Sequence, residues 1–374
     1  MTETRKLLPD VAELYRTMSA EMTPTEWRTF EGTLSMFLKE GTRKQLKNVE
    51  ICSKSTVSRF LNTISTEKLE RARLCFQMEA LRREFNRLRG KKPWLVIRVD
   101  LTSIEKTGQQ LPFTRTYNGV FGLHLVVIHV SIGKLSFPMG HAIYDPAKEE
   151  SPIQLALRLI KRFHPYLWGD LPQFLVMDSG FYSADALDLL RWWGFEHISI
   201  GGRSNLRLAD GRPLSAAQRG ERVELEGLPG LFLYVSWVEL PRAGKMKRFY
   251  VLDTKSGTAR TLTKRHKRRW LIESFFKSAK HDFGLKEARL RSETGIQNWI
   301  FLVWLSISLA LYQQFQAGMT TGQCPAWRVS LAASGQAVRF YLMPHIVRHG
   351  LCAELLHLEA EQLLSQSLKT PWTA

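Results

Sequence analysis

The feature that most constrains this fold is a change of texture at Pro93. Before it, VAELYRTMSAEM, WRTFEGTLSMFL and TEKLERARLCFQMEALRREFNRLR carry apolar residues at helical spacing. After it, WLVIRVDLTSI is rich in β-formers. Two more strand candidates, GVFGLHLVVIHVSIG and KLSFPMGHAIY, flank Gly133-Lys134, which reads as a hairpin turn. A helix from about Lys148 to His164, a strand QFLVMD ending at Asp178, a helix from Ser183 to Trp193 and a strand FEHISIGG complete a β-β-β-α-β-α-β order. That order predicts an α/β layer whose first three strands are antiparallel neighbours. Residues 203–254 break the alternation: RVELEG, LFLYVSWVEL and KRFYVLDT read as short strands of a β-rich insertion. Helix resumes near Ser256 and runs on to the C-terminal AELLHLEAEQLLSQSL. The expected division is a helical region over 1–92, an α/β domain over 93–202 and 255–315, an insertion over 203–254 and a helical region over 316–374.

The 374 residues are 44% hydrophobic and 24% charged, enough to bury a sizeable core. The formal charge of +18 calls for a polyanionic partner, and nucleic acid is the default because Lys and Arg displace counterions condensed on phosphates. No long basic amphipathic helix supports a membrane surface instead. The most apolar run, Trp299 to Tyr312, is too short for the ~18 residues of a spanning helix, so a buried helix is expected. Cys52, Cys75, Cys324 and Cys352 form no Cys-x-x-Cys pair, which argues against zinc and against a disulfide framework. With no apolar signal core in MTETRKLLPDVAEL, a reducing, cytoplasmic, nucleoid-associated setting is expected.

The stretch HKRRWLIESFFKSAK sets one carboxylate among cations. On a continuous helix His266, Arg269, Glu273, Lys277 and Lys280 would share a face, with Leu271, Phe275 and Ala279 opposite. A Glu–Lys pair at this spacing is ordinarily a solvated surface pair of about 0.2–0.5 kcal/mol. Two aspartates alter its weight. Asp100 follows the apolar WLVIRV, and Asp178 ends FLVM just before Ser179-Gly180. Each could be a turn or cap residue, but a charge after so apolar a stretch must reach solvent, a cation or a metal.

This arrangement resembles the DDE transposases of bacterial insertion sequences with a Tyr-(2)-Arg-(3)-Glu-(6)-Lys signature, the insertion sequence four-like family. Arg269, Glu273 and Lys280 match that spacing, and His266 stands at the tyrosine position. MDSGFYS resembles the family's Asp-x-Gly-Phe element at Asp178, Gly180 and Phe181. The likeness covers roughly residues 93–315. It implies a ribonuclease H-like mixed sheet with a β-rich insertion, flanked by N-terminal and C-terminal helical regions. It also implies that Asp100, Asp178 and Glu273 are a catalytic triad holding two Mg²⁺ or Mn²⁺ ions. The implied partners are double-stranded DNA, as terminal inverted repeats and target DNA, and a second copy of the chain on paired ends.

Arg269, Lys280, Lys277 and His266 are the expected phosphate contacts near the triad. Trp237, between valines, favours a core position; the resemblance offers a second role, stacking a displaced base. In the N-terminal region KNVEICSKSTVSRFLNTIS is a helix-turn-helix candidate, with Lys54, Ser55, Ser58 and Arg59 facing DNA. The competing readings are a nuclease of the same fold without strand transfer, and a DNA-binding protein that has lost catalysis.

Overall fold

The computed structural model describes residues 9–41, 43–91, 93–106, 111–145, 147, 150–167, 171–242, 245–320 and 331–347. The chain divides into two compact units. One comprises Met1–Ala80, Gly108–Pro112 and Lys277–Ala374, the other Leu81–Thr107 and Phe113–Phe276. The expected C-terminal helix AELLHLEAEQLLSQSL, with Cys324 and Cys352, lies outside the described residues.

The first unit is helical. Helices α1 (Pro9–Ser19), α2 (Pro24–Leu38), α3 (Lys54–Thr63) and α4 (Glu67–Leu88) precede the strands in sequence. Thr23 starts α2 with a reciprocal capping box to Glu26, and Ser53 caps α3. The apolar run predicted as a buried helix belongs to the longer helix Glu293–Thr320, in which Trp299 and Trp304 are fully buried. By length and composition this helix could cross a bilayer, yet most of it is buried inside the protein. Its Asn298 amide donates to the carbonyls of Leu61 (2.8 Å) and Ile64 (2.9 Å), fixing the end of α3. On α3, Val57, Phe60 and Leu61 point into the core while Lys54, Ser55 and Arg59 are exposed, as the sequence predicts; Ser58 is half-buried. A tight helix-turn-helix is not what precedes it. Residues 39–53, including a 3₁₀ turn at Leu46–Asn48, connect α2 to α3, far more than the ~3–4 residues of that motif.

The second unit is built on a nine-stranded sheet. Its strands are β1 (Leu95–Glu105), β2 (Arg115–Tyr117), β3 (Val120–Ile132), β4 (Leu135–Tyr144), β5 (Gln173–Met177), β6 (Ile198–Gly202), β7 (Arg222–Glu224), β8 (Phe232–Arg242) and β9 (Lys245–Asp253). The order is β2-β3-β1-β5-β6-β9-β8-β7, with β4 also on β3. As predicted, β1, β3 and β4 are antiparallel neighbours and Gly133 (φ +57°) turns the β3–β4 hairpin; β1, β5 and β6 run parallel. Helices α5 (Pro152–Leu167) and α6 (Ala184–Trp192) make the crossovers. This is the mixed α/β sheet of a ribonuclease H-like fold.

Two further features are instructive. The short strand β2 was not anticipated, although Asn118 (φ +50°) and Gly119 (φ +77°) form the two-residue, positive-φ turn that such dipeptides favour. The insertion also joins the main sheet. β9 pairs with β6 through Ser199↔Asp253 to Gly202↔Tyr250, so the insertion extends the main sheet by hydrogen-bonding to its free edge.

Candidate active site

Asp100 lies midway along β1, in the row beyond Arg98↔Val176 where β1 and β5 run in parallel register. Asp178 directly follows β5 and begins the 3₁₀ turn Ser179–Phe181, which Phe181 anchors in the core. Gly201 on β6 lets that turn approach: a Cβ there would stand 2.5 Å from the Ser179 nitrogen. Glu273 belongs to α8 (Trp270–His281), which follows α7 (Ala259–His266). Phe275 of α8 packs 5.1 Å from the His129 ring on β3, which presses this helix on the sheet face.

The predicted continuous helix is interrupted. Residues Lys267–Arg269 form a 3₁₀ turn between α7 and α8, with right-handed backbone angles at His266, Lys267 and Trp270, so the helix tightens without reversing. Phe275 and Ala279 are buried as expected, but Leu271 is exposed, and the wholly buried Ile272 takes its place.

Arg269 holds the centre. Its Nη1 donates to Asp100 Oδ2 at 2.7 Å and its Nη2 to Glu273 Oε1 at 2.6 Å, so one guanidinium bridges two residues far apart in sequence. Arg269 and Asp100 are nearly buried, whereas the Glu273 side chain is half-exposed at 52%. Burial pushes the Asp100 carboxyl up to about 6, against the opposing pull of Arg269, and the nearby charges of Asp178 and Glu273 add to the rise. Burial works against the Arg269 charge, but Asp100, Asp178 and Glu273 outweigh it and hold the guanidinium above its ordinary value. The Arg269 Nε is buried without a partner.

His266 sits at the edge of this cluster. Its Nδ1 shares a hydrogen bond with Ser199 Oγ (3.2 Å), and burial together with Arg269 pulls its pKa down to about 4. It is therefore neutral near pH 7 and adds no charge to a phosphate site. Lys277 and Lys280 follow Glu273 in the last turns of α8, Lys277 exposed and Lys280 half-buried. Lys54 and Arg59 belong to the helical unit.

The carboxylates form a set of hard oxygen donors suited to Mg²⁺ or Mn²⁺. Among the described residues no three His, Cys, Asp or Glu side chains are gathered closely enough to hold an ion, and it is Arg269 that bridges two members of the set. A cation is thus already accommodated beside Asp100, which fits a centre that accepts positive charge.

Trp237 is not in the core. It is half-buried on β8, with the Arg219 and Arg248 guanidinium carbons 4.8 and 5.0 Å from its ring centroid. It lines a 570 Å³ groove with Arg219, Arg260, Thr263, Lys264 and Lys267. The flanking valines mislead because β8 extends past its partner β7, so alternation no longer buries that face. Arg219, Arg248, Arg260 and Lys264 went unrecognised in the sequence. The spacing of Arg260, Lys264 and Lys267 at i, i+4 and i+7 on the α7 side is the signal that could have found three of the groove's cations.

Residues 95–309 match the family described as "Transposase DDE domain". A solved structure, "Cryo-EM structure of piggyBac transposase synaptic complex with hairpin DNA (SNHP)", is similar in fold, with a TM-score of 0.55 at 13% identity over 98% of this chain and 82% of that one. No curated protein matches the sequence.

Proposed function

The chain belongs to the Transposase DDE domain family, and from that premise we propose that it cleaves DNA at the ends of an insertion sequence and joins those ends to target DNA. The observation that carries the reading is the Arg269 bridge. It ties Asp100 on the central strand to Glu273 on α8, with Asp178 close enough to act on both electrostatically. Within the family we place the chain with the transposases carrying the Tyr–Arg–Glu–Lys signature, on Arg269, Glu273 and Lys280, with His266 replacing the tyrosine.

Transposase DDE domains generally use divalent ions. Asp100, Asp178 and Glu273 would hold them, two Mg²⁺ or Mn²⁺ in our reading. When bound, the ions would polarise the scissile phosphodiester and activate water or a 3′-hydroxyl for attack. The residues supply the remainder. Asp100 must be ionised to act as a ligand, which its burial resists and a neighbouring cation restores. Arg269, released from the carboxylates, would turn its planar fork to the phosphate of the cut strand. Lys280, and more weakly Lys277, would hold the same backbone as point charges, while uncharged His266 would offer only a hydrogen bond. Trp237, bracketed by two arginines, would receive a displaced base, and Lys54 and Arg59 would contact duplex DNA from α3. The similar piggyBac structure is a synaptic complex with hairpin DNA, in keeping with a dimer on paired terminal repeats and a hairpin intermediate here.

The test is nicking and joining of DNA carrying the element's ends. Asp100→Asn, Asp178→Asn and Glu273→Gln should each reduce cleavage by about 10³-fold or more, while DNA binding measured by anisotropy persists. Retained cleavage in any one removes that residue from the triad, and cleavage of pre-cut ends without joining would reduce the protein to a nuclease.

A further inference from the structure

Three rows of side chains share one face of the sheet, because β1 and β5 run parallel with Val96 opposite Phe174 and Arg98 opposite Val176. Asp100 and Asp178 occupy the far row. The middle row is closed by Arg98, whose Nε donates to the carbonyl of Arg268 at 2.6 Å. From this anchor the adjacent side chains serve opposite ends of the face. Arg269 reaches Asp100, and the Arg268 guanidinium carbon lies 5.9 Å from the centroid of the Phe174 ring.

At the near row, where β1, β5 and β6 begin, a 340 Å³ cavity is lined by Trp94, Phe174, His197, Lys255, Arg265 and Arg268, with Ser256 at its edge. That volume lies within the roughly 300–1,000 Å³ of small-molecule pockets. Its floor is aromatic: the His197 ring stacks on Phe174 at 3.9 Å and meets half-buried Trp94 edge-on at 5.2 Å. His197 is 4% exposed; its Nε2 shares a hydrogen bond with Asp253 (3.1 Å), and its Nδ1 has no partner. The cations are not equal. Arg265 is paired with Asp253 at 3.7 Å and Lys255 with Glu196 at 3.4 Å, whereas Arg268 makes no ion pair among the described residues. An aromatic wall, a buried polar atom without a partner and an uncompensated guanidinium together suit a flat π-faced ligand that carries one negative charge.

We propose that this cavity is a nucleotide subsite, in which one base of the DNA substrate stacks on Trp94 and its phosphate is held by Arg268. The subsite rests on the transposase reading and adds to it a contact at the end of the same sheet face away from the carboxylates. Phe174 and Asp178 are four residues apart, about 13 Å along a strand at ~3.3 Å per residue. That is about four nucleotides of duplex at ~3.4 Å each, so the bound nucleotide would belong to the same strand that is cut or to its flank.

The full chain can be tested with three probes: oligothymidine carrying 5-iododeoxyuridine, a blunt duplex, and free thymidine monophosphate. On irradiation the oligonucleotide should cross-link to the peptide containing Trp94, and free monophosphate should compete with that cross-link. Arg268→Gln and Trp94→Leu should each weaken oligothymidine binding about tenfold, and duplex binding much less, while Trp94→Phe keeps both the packing and the affinity. Cross-links confined to other peptides, or unchanged affinity in Arg268→Gln, would overturn the subsite. Monophosphate binding without oligonucleotide binding would overturn its assignment to a DNA strand. Failure of the wild-type chain to bind the duplex would instead strike at the transposase reading, since monophosphate competition reports on the cavity alone.

Discussion

The Arg269 guanidinium lies 2.7 Å from the Asp100 carboxylate, although 169 positions separate the two residues in sequence. Both are nearly buried, so neither charge is tolerable without the other. The same guanidinium reaches Glu273, which makes it the resident cation of an acidic cluster.

Arg269→Gln should therefore destabilise the ion-free protein by about 3–5 kcal/mol, because it leaves a buried carboxylate unpaired. Added Mg²⁺ should raise the melting temperature more in this variant than in the wild type, since a bound ion replaces the missing charge. Equal shifts in the two proteins would mean that the carboxylates hold no ion.

The raised Asp100 carboxyl gives a pH dependence of defined sign. Its pKa is about 6 in the folded protein against 3.8 ordinarily, so the folded state binds the proton more tightly. Its contribution to stability is greatest below the ordinary value and is lost as pH rises through about 6. Activity should run the other way, falling as pH drops through about 6 because a protonated Asp100 is a poor ligand. Melting curves across this range should show the first trend, and Asp100→Asn should abolish it.

Gly201→Ala tests how Asp178 is positioned. The added methyl would collide with the Ser179 backbone, which cannot move as a flexible side chain does. We expect a loss of about 1–3 kcal/mol, with a fall in cleavage that exceeds any change in DNA affinity. A fully active, stable variant would show that the Asp178 turn is not held by this contact.

Trp237→Ala separates a groove residue from a core residue. Half-exposed between Arg219 and Arg248, it should cost well under the ~3–5 kcal/mol of a core tryptophan truncation. Affinity for DNA with an unpaired base should fall by the ~1–3 kcal/mol of a lost stack. A large stability loss with unchanged affinity would return Trp237 to a purely structural role.

The strands and most helices were legible because each carries its own periodicity and punctuation. Gly133-Lys134 announced a hairpin, Ser183 a helix start, and the apolar run WLVIRV a buried strand that carries within it an aspartate in need of a partner. Asp100, Asp178 and Glu273 stood out in the sequence against apolar or cationic surroundings, and it was the family resemblance that joined them as a candidate triad.

Partnership was beyond the sequence. The identity of the cation at Asp100, the neutrality of His266 and the opposite courses of Arg268 and Arg269 follow from one tightened turn lying over a sheet, and the exposure of Trp237 from a strand that outruns its neighbour. Local sequence sets which backbone conformations are cheap, and the amino-acid order of this chain settled most of its elements and which charged side chains they carry. Which buried charge meets which depends on long-range packing, because desolvation and pairing energies are fixed only when strands and helices from distant parts of the chain close over one another.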